Sequence, residues 1–306
     1  MYFSTTAAVA ALALSFTSSA ATIAKRSAPA APSGYTTAFL DDFTGAQNAP
    51  PNANDWIITT GTQYVGGPAK WGTGEVETYT SKSTNVKQSG VGGLWIIPTR
   101  SSSGQWTSGR VESKRSNFMA PAGKKMIIRA AIRMPIITPA NGAGIWPAFW
   151  TLGSTFRQNR MGWPGVGEFD IMESVNGGAA GYSTMHCGVN PGGPCNEPNG
   201  IGFSRTCPGS SCLGNWHTYS VEVDRSKSPE TVTFSIDGQA TRQITSAQVN
   251  NATVWANTVH VGHFIIFDVA VGGSFPNAVY GSATPKASTV SGQEMRVDYV
   301  AVYYSK

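Results

Sequence analysis

Three carboxylates fall within six residues at Glu168-Phe169-Asp170-Ile171-Met172-Glu173, inside sequence that favours a β-strand. Strand side chains alternate between faces, so Glu168 and Asp170 point one way while Phe169 and Ile171 point the other. Unbroken alternation would carry Met172 to the acids and drive Glu173 into the apolar face. A carboxylate buried there would have to be paired or neutralised. A β-bulge at Ile171-Met172 repairs the register. It predicts one face bearing Glu168, Asp170 and Glu173, with Phe169, Ile171 and Met172 towards a core. Such a row suits acid/base and nucleophilic chemistry, but a solvated strand face or a set of metal ligands reads the same way.

The neighbourhood adds aromatic rings. Ile145-Trp146-Pro147-Ala148-Phe149-Trp150 and Gly162-Trp163-Pro164-Gly165 lie just upstream of the acids. Ring faces stack on the apolar faces of sugars, and paired carboxylates are the equipment of glycoside hydrolysis. A tryptophan-rich core beside a polar edge is the competing reading. Carboxylates on one face of a single strand are near neighbours, which leaves little room for the water of an inverting mechanism and leans towards retention.

The elements that must carry these residues are strands. Met126, Ile128, Ala130, Ile132 and Met134 alternate with Ile127, Arg129, Ala131 and Arg133. Tyr219, Val221 and Val223 alternate with Ser220, Glu222 and Asp224, and Val232, Phe234 and Ile236 lead into an Asp237-Gly238 hairpin turn. Met295, Val297, Tyr299, Ala301 and Tyr303 are expected to share one face of a last strand. No stretch has a helical period, so the chain reads as all-β, two packed antiparallel sheets in one domain.

Composition agrees with that class: 306 residues, 35 glycines, 13% charged and 10% aromatic. The net charge of +5 is spread out, with no basic run longer than two, which argues against nucleic acid as a partner. Residues 1–20 read as a secretory signal peptide, and 21–26 as a short pro-segment ending in the dibasic pair Lys25-Arg26. Residues 27–34 read as a Pro/Ala linker and 35–306 as a single catalytic domain. No later segment is apolar enough to span a membrane, so secretion without a membrane anchor is expected, as a monomer. Cys187, Cys195, Cys207 and Cys212 are the four cysteines. Three pairings are possible in an oxidising compartment; Cys187–Cys195 with Cys207–Cys212 is the expected one, stapling a Gly/Pro-rich loop over 188–211. Asn251-Ala252-Thr253 is a glycosylation acceptor in a polar stretch expected to be a surface loop.

Trp146-Pro-Ala-Phe-Trp-Thr-Leu-Gly153, Gly162-Trp163-Pro164 and Gly167-Glu-Phe-Asp-Ile-Met-Glu173 together resemble glycoside hydrolase family 16, in its laminarinase-type form. Gly74 to Thr80, Thr184-Met185-His186, Val269 to Gly273 and Val297-Asp298-Tyr299-Val300 resemble further landmarks, so the likeness runs from about Phe39 to Tyr304.

The resemblance implies a β-jelly-roll sandwich with a concave substrate cleft. It also implies a retaining endo-β-glucanase acting on β-1,3 or mixed β-1,3/1,4 glucan without a catalytic cofactor. By it, Glu168 is the nucleophile, Glu173 the acid/base and Asp170 the residue that assists Glu168. His186 is expected near the acids, where a structural role is the alternative, and His217, His260 and His263 in packing or at the surface. Trp146, Trp150 and Trp163 are candidates for sugar stacking. Trp150 and Trp163 are favoured, because alternation along 146–150 must bury some rings. Glu75 and Arg110 are further substrate-binding candidates. Asp268 and Phe275 depart from the Asn and Trp of many relatives and bear on specificity. A structural calcium held by some relatives points to Asp42 and Asp298. A wall-remodelling transglycosylase, a hydrolase of β-galactan or another β-glycan, and a non-catalytic carbohydrate-binding sandwich are the rival functions.

Overall fold

The computed structural model describes residues 28–306. The signal peptide and the pro-segment with Lys25-Arg26 lie outside the described residues. Strands dominate, and they form a seven-stranded and an eight-stranded sheet, with a small three-stranded one beside them. In chain terms the seven-stranded sheet runs Ile201–Thr206, Ala180–His186, Glu168–Glu173, Ile145–Gly153, His263–Val271, Arg110–Ser113, Trp56–Thr59, all neighbours antiparallel.

The core lies between the two large sheets. Phe149, Phe169, Ile171, Met172, Ile265 and Phe267 from one meet Ile128, Val221, Phe234, Val297 and Val302 from the other. Phe149 and Phe267 stack with centroids 4.8 Å apart. This is the sheet-on-sheet packing that the alternating pattern calls for.

The acid strand is bulged as the apolar pattern requires. Trp150 faces Asp170 but Phe149 faces Met172, so Ile171 is the inserted residue. The same shift appears on the other flank, where Asp170 faces Thr184 and Glu173 faces Tyr182. Phe169, Ile171 and Met172 are all in the core.

Five expectations need correction. The last strand, Met295–Ser305, carries its own bulge between Val297 and Tyr299. Beyond it Val300 and Val302 take the core side, while Tyr299, Ala301 and Tyr303 pass to the outer face. The extra residue is Asp298. Residues 28–34 are no free linker, because Ala28, Ala31 and Tyr35 pack on that outer face and Tyr303 Oη donates to Pro29 O at 3.3 Å. Short helices are present, Ser246–Val249, Ala252–Val259 and Ser274–Tyr280. They are too brief to print a period. Asn251 therefore sits at a helix N-cap and not in a loop, its side chain accepting from Val254 N at 3.0 Å. The stretch 188–211 likewise contains the strand Ile201–Thr206.

Cys187–Cys195 and Cys207–Cys212 are bonded, the pairing expected from the sequence. Among the described residues no helix is long and apolar enough to cross a membrane.

The bulge makes a direct prediction. Deleting Ile171 removes the inserted residue, and strict alternation then keeps Glu173 on the face of Glu168 and Asp170 with Met172 still towards the core. What is lost is the buried Ile171 side chain, at a cost of about 2–5 kcal/mol. Urea denaturation should show a cooperative transition at a lowered midpoint; a variant with no folded baseline would refute this account of the register.

Candidate active site

Antiparallel register sets the acids in rows across the sheet. One row reads His186, Glu168, Leu152, Phe264; the next, Thr184, Asp170, Trp150, Ile266, Glu112; the third, Tyr182, Glu173, Ala148, Asp268, Arg110. The first ends in a satellite apolar cluster of Leu152, Phe156, Val166, Phe264 and Ile266, with Trp150 and Trp163 packed against it. The third has only a methyl group, that of Ala148, between Glu173 and Asp268.

Glu168, Asp170 and Glu173 are 9%, 5% and 8% exposed, so little water reaches them. Burial, with the charges of Asp170 and Glu173, pushes Glu168 well above the usual carboxylate range, and only His186 opposes this. Burial first, and then the Asp170 charge, raise Glu173 to about 8, despite the indole N–H of Trp146 donating to its Oε1 at 2.8 Å.

The structure brings His186 to the acids. Its Nε2 lies 3.2 Å from Asp170 Oδ2, and its Nδ1 lies 2.7 Å from Glu197 Oε2. Ligand atoms of Glu168, Asp170 and His186 lie within 4.8 Å of one another. Both imidazole nitrogens already face carboxylates, so the ring has no lone pair to spare and the group reads as a hydrogen-bonded chain, not a metal site. Among the described residues Asp42 and Asp298 belong to no such acid–histidine group.

The tryptophans divide differently from the expectation. Strand Ile145–Gly153 buries Phe149 fully and turns both Trp146 and Trp150 to the acid side, each half-buried. Trp146 contacts Phe275 edge-on at 5.6 Å, and Phe275 contacts Tyr182 at 5.1 Å, closing one end of the row. Trp150 donates to Asp268 Oδ1 at 2.6 Å, and Trp163 lies 5.4 Å from the His186 ring.

Arg110 does not reach out to a ligand. It is 3% exposed, paired to Glu112 at 3.3 Å, bonded to Tyr64 Oη at 2.7 Å, and set over the Trp150 ring at 4.8 Å. Trp71 lies on the same guanidinium at 4.9 Å. Lys70 and Trp71 both have positive φ, 51° and 58°, a conformation that non-glycine residues hold only when their surroundings force it. Glu75 is also buried, accepting from Thr73 Oγ1 at 2.6 Å and Tyr79 Oη at 3.0 Å. Tyr79 Oη is also 2.9 Å from Asp268 Oδ2. Burial, eased by Arg110, leaves Asp268 raised to about 6. Beyond Glu75, burial and the Glu75 charge push Glu77 well up, and its Oε2 accepts from Val271 N at 2.7 Å.

The other histidines stand apart from the acids' hydrogen bonds. His217 contacts Asp237 at 2.7 Å, His260 contacts Glu230 at 2.6 Å, and His263 is buried between Thr151 and Thr258 O. Sequence reasoning missed Glu197, Glu112, Tyr79 and Glu77. Each acts by contacting another buried polar group, which no local spacing reveals; asking what satisfies the second nitrogen of a buried His186 would have led to Glu197.

The family model described as the XgeA-like catalytic GH16 domain matches residues 76–199. A solved endo-1,3-beta-glucanase from Streptomyces sioyaensis is 50% identical and superposes with a TM-score of 0.88, over 91% of this chain and 99% of that one. The keratan-sulfate endo-1,4-beta-galactosidase of Sphingobacterium multivorum is 28% identical over 164 residues, 53% of this chain but 34% of that protein, so the chain spans about a third of that relative's length. The beta-glucanase of Rhodothermus marinus is 27% identical over 252 residues, 78% of this chain and 77% of that protein. With a carboxylate row walled by tryptophans on a sandwich of this kind, and a half-identical relative matched over nearly its whole length, the chain belongs to glycoside hydrolase family 16.

Proposed function

We propose that the protein is a secreted, retaining endo-β-glucanase that cuts internal β-1,3 bonds of laminarin-type or mixed-linkage glucan. The observation that carries this is the buried row Glu168, Asp170, Glu173, set on one sheet face between Trp146, Trp150 and Trp163. The half-identical endo-1,3-beta-glucanase supports the choice of linkage. The two disulfides fit an oxidising compartment outside the cell.

In this reading Glu173 protonates the departing glycosidic oxygen. A carboxyl raised to about 8 is still protonated at neutral pH, as a general acid must be. Against the upward push of burial, the His186 charge favours the ionised form of Glu168, which attacks the anomeric carbon to give a glycosyl-enzyme. Its negative charge is spent in the bond, so the repulsion on Glu173 falls and Glu173, now ionised, draws the proton from the incoming water. Asp170 lies between them on the same face and holds His186. The short Ala148 leaves space over the sheet between Glu173 and Asp268, where a sugar ring can sit against the Trp146 and Trp150 side chains. Arg110 and Glu75 act behind that wall as positioning groups. Glu112 holds the Arg110 guanidinium under Trp150, and Asp268 fixes the Trp150 indole. A glycan on Asn251 would leave by its amide nitrogen, with the helix cap kept on Oδ1.

A second reading, hydrolysis of a β-galactan, is favoured by the 28% identity to a galactosidase over 164 residues. Chain ends released from laminarin, lichenan and a β-galactan, measured side by side, decide between the two. Oligosaccharide acceptors added in excess reveal transfer in place of hydrolysis.

Two outcomes are expected. Purified enzyme should release reducing ends from laminarin with the β-anomer appearing first by NMR. Glu168→Ser and Glu173→Gln should each remain folded and lose at least about a hundredfold to ten-thousandfold in kcat. First-formed α-anomer, or full activity in either variant, would overturn the assignment.

The second concerns stability. Folded Glu173 keeps its proton up to about pH 8, whereas an unfolded glutamic acid loses it near 4.5. The folded state therefore holds more protons across that window, and stability falls as pH rises through it. Glu173→Gln removes this contribution. Its urea midpoint should decline less than wild type between pH 5 and 8, and exceed wild type at pH 8. Parallel declines would show that Glu173 titrates normally.

A further inference from the structure

One buried carboxylate near the acids has no role in the chemistry above. Glu197 is 3% exposed. Its Oε1 accepts the Cys187 backbone N–H at 2.8 Å, and its Oε2 faces His186 Nδ1 at 2.7 Å. Asp170 faces the opposite nitrogen, Nε2, at 3.2 Å. A neutral imidazole has one N–H and one lone pair. Between two ionised carboxylates, which only accept, the neutral ring would set its lone pair against an oxygen, while the imidazolium donates at both ends.

We propose that Glu197 is a positioning residue that holds His186 as an imidazolium against Asp170 and Glu168, and so keeps those carboxylates ionised beside a protonated Glu173. The proposal rests on the roles assigned to Glu168 and Glu173 above.

The surroundings fix Glu197 in place. Its backbone N–H and C=O both bond to Gly192, at 2.6 and 2.7 Å, and the Cys187–Cys195 disulfide closes the same loop. The ring it holds is clamped as well. A Cβ on Gly200 would stand 2.8 Å from His186 Cε1, so that glycine backbone lies directly on the ring, with Trp163 5.4 Å away.

The charged groups facing His186 are Asp170 and Glu168 from the acid strand and Glu197 from the disulfide loop, with Glu173 further along the row. Burial alone would keep the ring neutral. The bonds to Asp170 and Glu197, and the charges of Asp170 and Glu168, outweigh it and raise its pKa well above the usual histidine value. His263 is the internal comparison: more fully buried, and with no carboxylate partner, it is lowered to about 4.

The test is a nitrogen-15 NMR titration of the histidine rings in the disulfide-bonded enzyme, with Glu197→Gln beside it. Wild-type His186 should carry protons on both nitrogens at pH 7. In Glu197→Gln its midpoint should fall by on the order of one pH unit or more, as expected when an opposite charge is removed at contact distance. The alkaline limb of kcat/KM on laminarin should move to lower pH, with KM within about twofold of wild type. A neutral His186 in wild type at pH 7 overturns the proposal without any variant. So does a folded Glu197→Gln with an unchanged midpoint. If laminarin is not cut at all, the substrate assignment fails, and the ring titration still decides the role of Glu197.

Discussion

Too many carboxyl groups share too little water in this molecule. Glu168, Asp170, Glu173, Glu197, Asp268, Glu75, Glu77 and Glu112 are all nearly buried on one side of the sheet, around the cations His186 and Arg110. They cannot all be ionised. The outcome is an ordered division of protons. Burial pushes up Glu168, Glu173, Glu77 and Asp268, while the His186 charge pulls Glu168 part of the way back and Arg110 does the same for Asp268. Each cation is in turn pinned from behind by its own acid, Glu197 for His186 and Glu112 for Arg110. The rings between them, Trp146 and Trp150, spend their indole N–H groups on Glu173 and Asp268, and so belong to the electrostatics as well as to the wall.

Strand register lets so crowded a set be built. In a loop the acids would move apart to relieve repulsion; here the ladder bonds of six antiparallel contacts hold every Cα in its row. The repulsion therefore appears as retained protons and not as motion. The bulge at Ile171 belongs to the same logic, since it sets the third acid on the common face while keeping Met172 in the core.

Much of this was legible because the acid strand alone is inconsistent without its bulge. Glu173 and Met172 could not both be placed sensibly by strict alternation, and the repair was unique. The last strand hid its bulge because Met295, Val297, Tyr299, Ala301 and Tyr303 form a plausible apolar face even when misread. Only the opposite set, Val300 and Val302, shows the error, and both sets are apolar. Arg110 looked like a reaching cation because sequence carries no record of the Glu112 and Tyr64 that hold it back. The helix after Asn251 was unreadable for a different reason: eight residues are barely two turns, and its cap, not its period, defines it.

That second bulge also changes what the first described residues are for. Once Tyr299 and Tyr303 turn outward, the eight-stranded sheet would show aromatic surface to solvent, and Ala28, Ala31 and Tyr35 are what cover it. Residues 28–41 thus work as a strap across the outer face of that sheet, tied at Pro29 to the Tyr303 hydroxyl and by strand pairing from Tyr35 to Asp41. Fraying or trimming that strap bares a sticky flank far from the cleft. An enzyme intact in every acid could in this way be lost to self-association.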